Sequence, residues 1–163
     1  MTSTIRVTSK RFRRIAPELP ESVRKQVLEA ANETARFGLT AVQRTISKTK
    51  PPPVATGNYR AAWKIIYNPD GPQLVNTAPY ARYVEMGRRP GKRPPLTPIE
   101  QWVRVKRLAT DPKKIRSIAF AVQDKIGKKG TKGRFIMKRT VPVMRKFYTR
   151  QLKASVAYTE PPR

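Results

Sequence analysis

Cysteine and histidine are both missing from this chain. Without thiols there is no disulfide framework and no thiolate metal site. Without imidazole, the commonest zinc ligand and the usual acid–base catalyst near neutral pH are gone as well. Acid is scarce: 10 Asp plus Glu stand against 36 Lys plus Arg, a formal net charge of +26 over 163 residues. A metal-dependent nuclease needs clustered carboxylates, and the spacing of Asp70, Glu85, Glu100, Asp111 and Asp124 offers none. Asp70 reads as a turn residue and Asp111 as a helix cap, and among the rest Glu85 stands out by its place beside Tyr83 and ahead of Arg88 and Arg89. No catalytic, cofactor-binding or metal-binding residue is therefore expected. Nowhere is there an apolar run long enough to cross a bilayer. The basic N-terminus M-T-S-T-I-R-V-T-S-K-R-F-R-R has no apolar segment after it, which argues against a secretory signal. A mitochondrial-type presequence is a weaker alternative to a soluble product made in the cytoplasm.

What is present is positive charge, and it is grouped. Ten Lys or Arg lie from Arg88 to Arg116 against Glu100 and Asp111, and eleven from Lys125 to Lys153 with no acid. Such a charge repels itself in a compact state, so a partner must neutralise part of it. Nucleic acid is the first candidate and an acidic protein surface in an assembly the second. Lys92, Arg93, Lys128, Lys129, Lys132 and Arg134 are the candidate contacts for either. G-K-K-G-T-K-G at 127–133 looks superficially like a phosphate loop, but it lacks the required glycine spacing and no strand precedes it. A flexible basic turn is the better reading. Tyr59, Trp63, Tyr67, Tyr80, Tyr83 and Trp102 could stack on bases, yet most occupy core-compatible positions.

The periodicity predicts one domain with extensions: a basic arm at 1–19, a body at 20–157 with a helical stretch at about 96–130, and a tail at 158–163. Thr4–Thr8 alternates like an edge strand that pairs with a partner. Pro20 and Glu21 open a helix carrying Val23, Val27, Ala31, Ala35, Gly38, Val42 and Ile46 on one stripe. The triple proline 51–53 ends it in a stiff connection. Thr56 is placed to cap one short turn through Tyr59 and Ala62. Trp63–Tyr67 and Gln73–Thr77 flank the turn N-P-D-G as a hairpin, with Trp63, Ile65 and Tyr67 on one face. A short helix after Pro79 carries Tyr80, Tyr83 and Val84, and the loop Gly87–Pro95 breaks regular structure. Helices then follow from Thr97-Pro98, with Ile99, Trp102 and Val103 inward, and from Asp111-Pro112, with Ile115, Ile118, Ala119, Val122 and Ile126 inward. A last helix runs from Lys138 to about Val156 with Met144, Phe147, Tyr148 and Leu152 inward, Pro142 falling near its first turn.

T-G-N-Y-R-A-A-W at 56–63 and N-T-A-P-Y-A-R-Y-V-E-M-G at 76–87 resemble motifs of the tailed-phage head–tail joining and tail-completion proteins. These are the gene-product-ten-like minor structural proteins of siphophages and their relatives. The later stretches P-L-T-P-I-E-Q-W-V-R-V-K-R and I-A-F-A-V-Q-D-K-I-G-K-K-G-T-K-G-R-F are similar to an insertion in many members, so the resemblance covers roughly Thr56 to Met144. It implies an α+β fold: a long N-terminal helix and a C-terminal helix packed on a small antiparallel sheet. It implies no catalysis, but a virion protein forming a homo-oligomeric ring around exiting DNA, between the portal or connector and the tail tube or tail terminator. Tyr80, Tyr83, Glu85, Gly87, Arg88 and Arg89 are then the expected subunit interface, with Glu85 in an intersubunit ion pair. The six basic candidates named above become candidate contacts with DNA in the channel. Met86 stands where the family often has an aromatic residue. The alternative from composition alone is a nucleoid- or ribosome-type nucleic-acid-binding protein.

Overall fold

The computed structural model describes residues 3–6, 14, 16–50 and 56–159. A 3-10 turn at Ala16–Glu18 leads into α1, Glu21–Lys48, where Pro20 supplies the extended entry that the first helical turn tolerates. Ala31, Ala35, Gly38, Val42 and Ile46 of the predicted stripe are buried, joined by Ala30, Thr34 and Ala41; Val23 is exposed, because the helix outruns what covers it. The Thr49 hydroxyl donates to the Thr45 carbonyl (2.8 Å), which the Thr49 N–H also reaches at 3.1 Å, so both donors of Thr49 close the end of the helix.

A single helical turn, α2 (Asn58–Ala61), follows, with the Thr56 hydroxyl at a long 3.4 Å from the Asn58 N–H. Strands β2 (Trp63–Ile66) and β3 (Gln73–Asn76) pair antiparallel across the N-P-D-G turn, closed by Gly71 N–H to Asn68 C=O at 2.8 Å. Trp63 is buried and Ile65 half-buried, but Tyr67 lies past the strand end and is exposed. Strand β1 (Ser3–Arg6) adds to the other side of β3, Ser3 opposite Asn76, so the segment read as an edge for a partner is paired within its own chain. Helix α3 (Ala81–Met86) runs into β4 (Gly87–Arg88). Helices α4 (Leu96–Val105) and α5 (Pro112–Lys129) form a hairpin around their own small core of Ile99, Val103, Ile115 and Ala119. Asp111 caps α5, accepting from Lys114 N–H at 2.8 Å, as the Asp-Pro signal predicts. The supposed flexible turn 127–133 is instead the last turn of α5 followed by β5 (Thr131–Lys132), which pairs with β4 inside the presumed loop.

The last helix, α6 (Ile136–Thr159), begins two residues earlier than expected. Pro142 therefore lies in the second turn, where it removes one backbone donor on a solvent-facing side. Contacts pair Thr45 with Thr140 (hydroxyls 3.1 Å apart) and Phe37 with Phe147 (stacked rings, 4.2 Å), so α6 lies antiparallel to α1. The main core joins Val42 and Ile46 of α1 to Tyr59, Trp63, Leu74, Ala78 and Ala81, and then to Ile136 and Met144 of α6. Each fully buried Ile or Leu among them contributes about 1.5–3 kcal/mol. This is an α+β fold of two long helices on a small antiparallel sheet. The triple proline 51–53, most of the basic arm and the end of the tail lie outside the described residues.

Candidate interface groove around helix α3

Glu85 organises the site. It is 6% exposed, and both its oxygens are engaged within the chain. The Tyr59 hydroxyl donates to Oε1 at 2.7 Å, and the Met137 N–H donates to Oε2 at 3.0 Å. Met137 is in the first turn of α6, whose free N–H groups and positive dipole end favour a carboxylate. Burial first, then the neighbouring Glu85, holds the Tyr59 hydroxyl far above the usual phenol range, so it stays a donor. Tyr59 is fixed in turn: its carbonyl accepts from the buried Asn76 Nδ2 (2.9 Å), while Asn76 Oδ1 accepts from Ala78 N–H (2.9 Å). Within the single chain Glu85 is thus a carboxylate that ties α2, α3 and α6 together.

Around this post the backbone is cross-braced. Arg134 N–H donates to Val84 C=O (2.7 Å) and Phe135 N–H to Glu85 C=O (3.1 Å), continuing the β4–β5 pairing. Gly87 has φ 76 and ψ −169, a region reserved for glycine, and a Cβ there would collide with the Thr131 carbonyl oxygen. Phe135 sits at φ 53, unusual for a bulky residue, immediately before α6.

The braces form the floor of an open groove of about 1140 Å³ between α3, β4 and β5. Its apolar side chains are unusually exposed: Tyr83 53%, Met86 67% and Phe135 44%. Its charged lining is all basic, including Arg82, Arg89 and Lys132. The Arg88 guanidinium lies over the Tyr83 ring at 5.7 Å and donates to the Lys92 carbonyl.

The structure therefore gathers Tyr83, Gly87, Arg88 and Arg89 with Lys132 in one groove, and places Tyr80 outside its lining at the start of α3. Arg93 and Lys128 converge on Asp124, the latter at 2.7 Å. Hydrogen bonds from Lys128 and then Arg93 hold the Asp124 carboxyl below its ordinary value. Lys92 and Lys129 are exposed, and Arg134 is half-buried. Sequence reasoning did not single out Met86 and Phe135 as site residues. The first was visible beside the motif glycine, whereas the second reaches the groove only through the β4–β5 pairing. Among the described residues no group of His, Cys, Asp or Glu could hold a metal ion, and no helix is long and apolar enough to cross a membrane.

Comparison with known families matches residues 10–87 to the HK97-gp10-like model, described as "Bacteriophage HK97-gp10, putative tail-component". Neither the curated proteins nor the solved structures give a match. The matched stretch runs from before α1 through the hairpin and α3 to Gly87, so the resemblance read as far as Met144 is carried only to the edge of the groove. Over residues 10–87, just under half of its length, the chain is similar to the HK97-gp10-like family of bacteriophage tail components.

Proposed function

We propose that this protein is a structural subunit of a tailed-phage virion that assembles as a homo-oligomeric ring at the head–tail junction, as neck adaptor, tail-completion or tail-terminator subunit. It would bridge the portal or connector to the tail and surround the DNA exit path. The observation that carries this reading is the groove. Exposed Tyr, Met and Phe side chains mixed with Arg are the composition of interface hot spots, and isolated soluble surfaces rarely keep them open. Its rigid floor limits the entropy lost on docking. A second copy is the intended occupant, with Tyr83, Arg88 and Arg89 as anchors, Tyr80 at the margin, and Glu85 and Gly87 holding the frame. No chemistry is assigned to it; its work is assembly. Lys92, Lys129, Lys132 and Arg134, with Arg93 and Lys128 beside them, would face DNA or an acidic partner.

Imaging of virions, and of particles made without this gene product, tests the reading. A ring at the junction, and tails that fail to join heads in its absence, is the expected result. Complete infectious particles assembled without it would overturn the assignment. A chain that stays monomeric until polyanion is added would favour a nucleic-acid-binding protein.

A further inference from the structure

Helix α6 carries six Lys or Arg and no acid over Ile136–Thr159. Its buried side is fixed by Ile136, Thr140 and Met144 in the core and by Phe147 stacked on Phe37. Advancing 100° per residue from Arg139 brings Lys146, Arg150 and Lys153 back to within about 40° of the same line. All four are exposed, and none has an ion-pair partner among the described residues. Arg150 is steadied by the Phe147 ring, 5.2 Å from its guanidinium. The stripe is about 21 Å long at 1.5 Å per residue, which matches about six base pairs of duplex rise. Lys138 and Arg145, also exposed, widen it along one flank.

A protein partner would ask for apolar anchors, and among the described residues on this line the one large apolar side chain exposed is Val143. A linear array of cations on a stiff rod, without a pocket, suits a linear array of phosphates. Such an array gains by releasing condensed counterions and carries no base preference. We propose that the outward face of α6, through Arg139, Lys146, Arg150 and Lys153, is a sequence-independent surface for the phosphate backbone of nucleic acid. It deepens the DNA-facing part of the proposed function and moves the principal phosphate-binding surface from the α4–α5 base to the last helix.

The test is the salt dependence of binding of the full chain to a 30-base-pair duplex of arbitrary sequence. With Arg139, Lys146, Arg150 and Lys153 all changed to Gln, the slope of log Kobs against log salt should fall by about 3–4, near 0.9 for each phosphate no longer neutralised. A comparison variant with Lys106, Lys113, Lys114 and Lys125 changed to Gln has the same net charge, and its slope should fall by less than about one. R139K/R150K should keep the parental slope, and far-UV circular dichroism checks that all variants are folded. Equal reductions in the two four-site variants would overturn the proposal, since charge alone would then explain them. So would binding of polyglutamate that equals the duplex and depends on the same four residues, which would point to an acidic protein instead. Loss of the ring with an unchanged difference in slopes would sink the junction reading and leave this one standing.

Discussion

Replacing Glu85 by Ala leaves two donors facing nothing: the Tyr59 hydroxyl and the Met137 N–H, which now sit 2.7 and 3.0 Å from the carboxylate oxygens. A buried donor stripped of its acceptor costs about 1–3 kcal/mol. Removing the carboxylate also relieves its own desolvation, which offsets part of that sum. A net loss of about 2–4 kcal/mol follows, or roughly 5–12 °C in melting temperature for a chain of this length. Glu85→Gln should behave differently. Its amide oxygen can accept from Met137, and the Tyr59 hydroxyl can rotate to accept from the amide nitrogen. Only the charge assistance is lost, about 1 kcal/mol. Urea unfolding of the isolated chain followed by circular dichroism, with the slope checked for constancy, reads both. If Glu85→Ala unfolds within about 0.5 kcal/mol of the parent, the internal brace is wrong and an ion pair across a subunit boundary becomes the better account. If Gln costs as much as Ala, the charge matters and the two acceptor positions do not.

Three further outcomes are expected. Gly87→Ala should cost about 3 kcal/mol or more, because its backbone region is closed to other residues and its Cβ meets main chain, whereas Gly57→Ala, at φ 77 with open space around it, should cost about 1–2; thermal unfolding separates them. Tyr59 titrates high in the folded chain and near 10.0 when unfolded, so the unfolded state loses its proton first and stability falls as pH rises above about 10; Tyr59→Phe should flatten that fall in urea titrations at pH 9–11. A Cβ on Gly38 would overlap the flexible end of the Met144 side chain, which can give way, so Gly38→Ala should fall short of the roughly 1 kcal/mol gain that Ala brings inside a helix and regain it beside Met144→Ala; an additive double-mutant cycle would refute this close approach of α1 to α6.

The elements that follow local rules were legible in the sequence. Proline entry, the Asp111 cap, the N-P-D-G turn and the 3.6-residue stripes of α1, α4, α5 and α6 each act over a few residues, and the structure carries all of them. What escaped is decided at long range. The two-residue strands β4 and β5 have no periodicity to read and exist because residues 87–88 and 131–132 meet. That meeting straightens the supposed glycine turn and carries Phe135 into the groove. Tyr67, Tyr80 and Tyr83 fit a core by spacing but are exposed, because no described residue covers them. Glu85 was legible as exceptional from its place beside Tyr83 and ahead of Arg88 and Arg89. Its partner could not be read, because Met137 lies 52 residues on and contributes a backbone N–H that any residue supplies.

The boundary of the family match marks a division of labour. Residues 10–87 supply α1, the hairpin and α3, yet their core is closed by Ile136 and Met144 from the far end of the chain, and Glu85 reaches across the same seam. The chain leaves this body at Arg88 and returns to it at Thr131, side by side in one short ribbon. Everything between, the α4–α5 hairpin with its own core, hangs from those two adjacent strands. The α4–α5 hairpin can change length and charge without disturbing the Tyr59–Glu85–Met137 brace, because no member of the brace lies inside it. The groove is built where the matched stretch and the hairpin meet: its floor follows from the brace, and its basic rim at Arg88, Arg89 and Lys132 comes from the strands leading into and out of the hairpin. A chain arranged this way can keep the groove's geometry while the hairpin is altered.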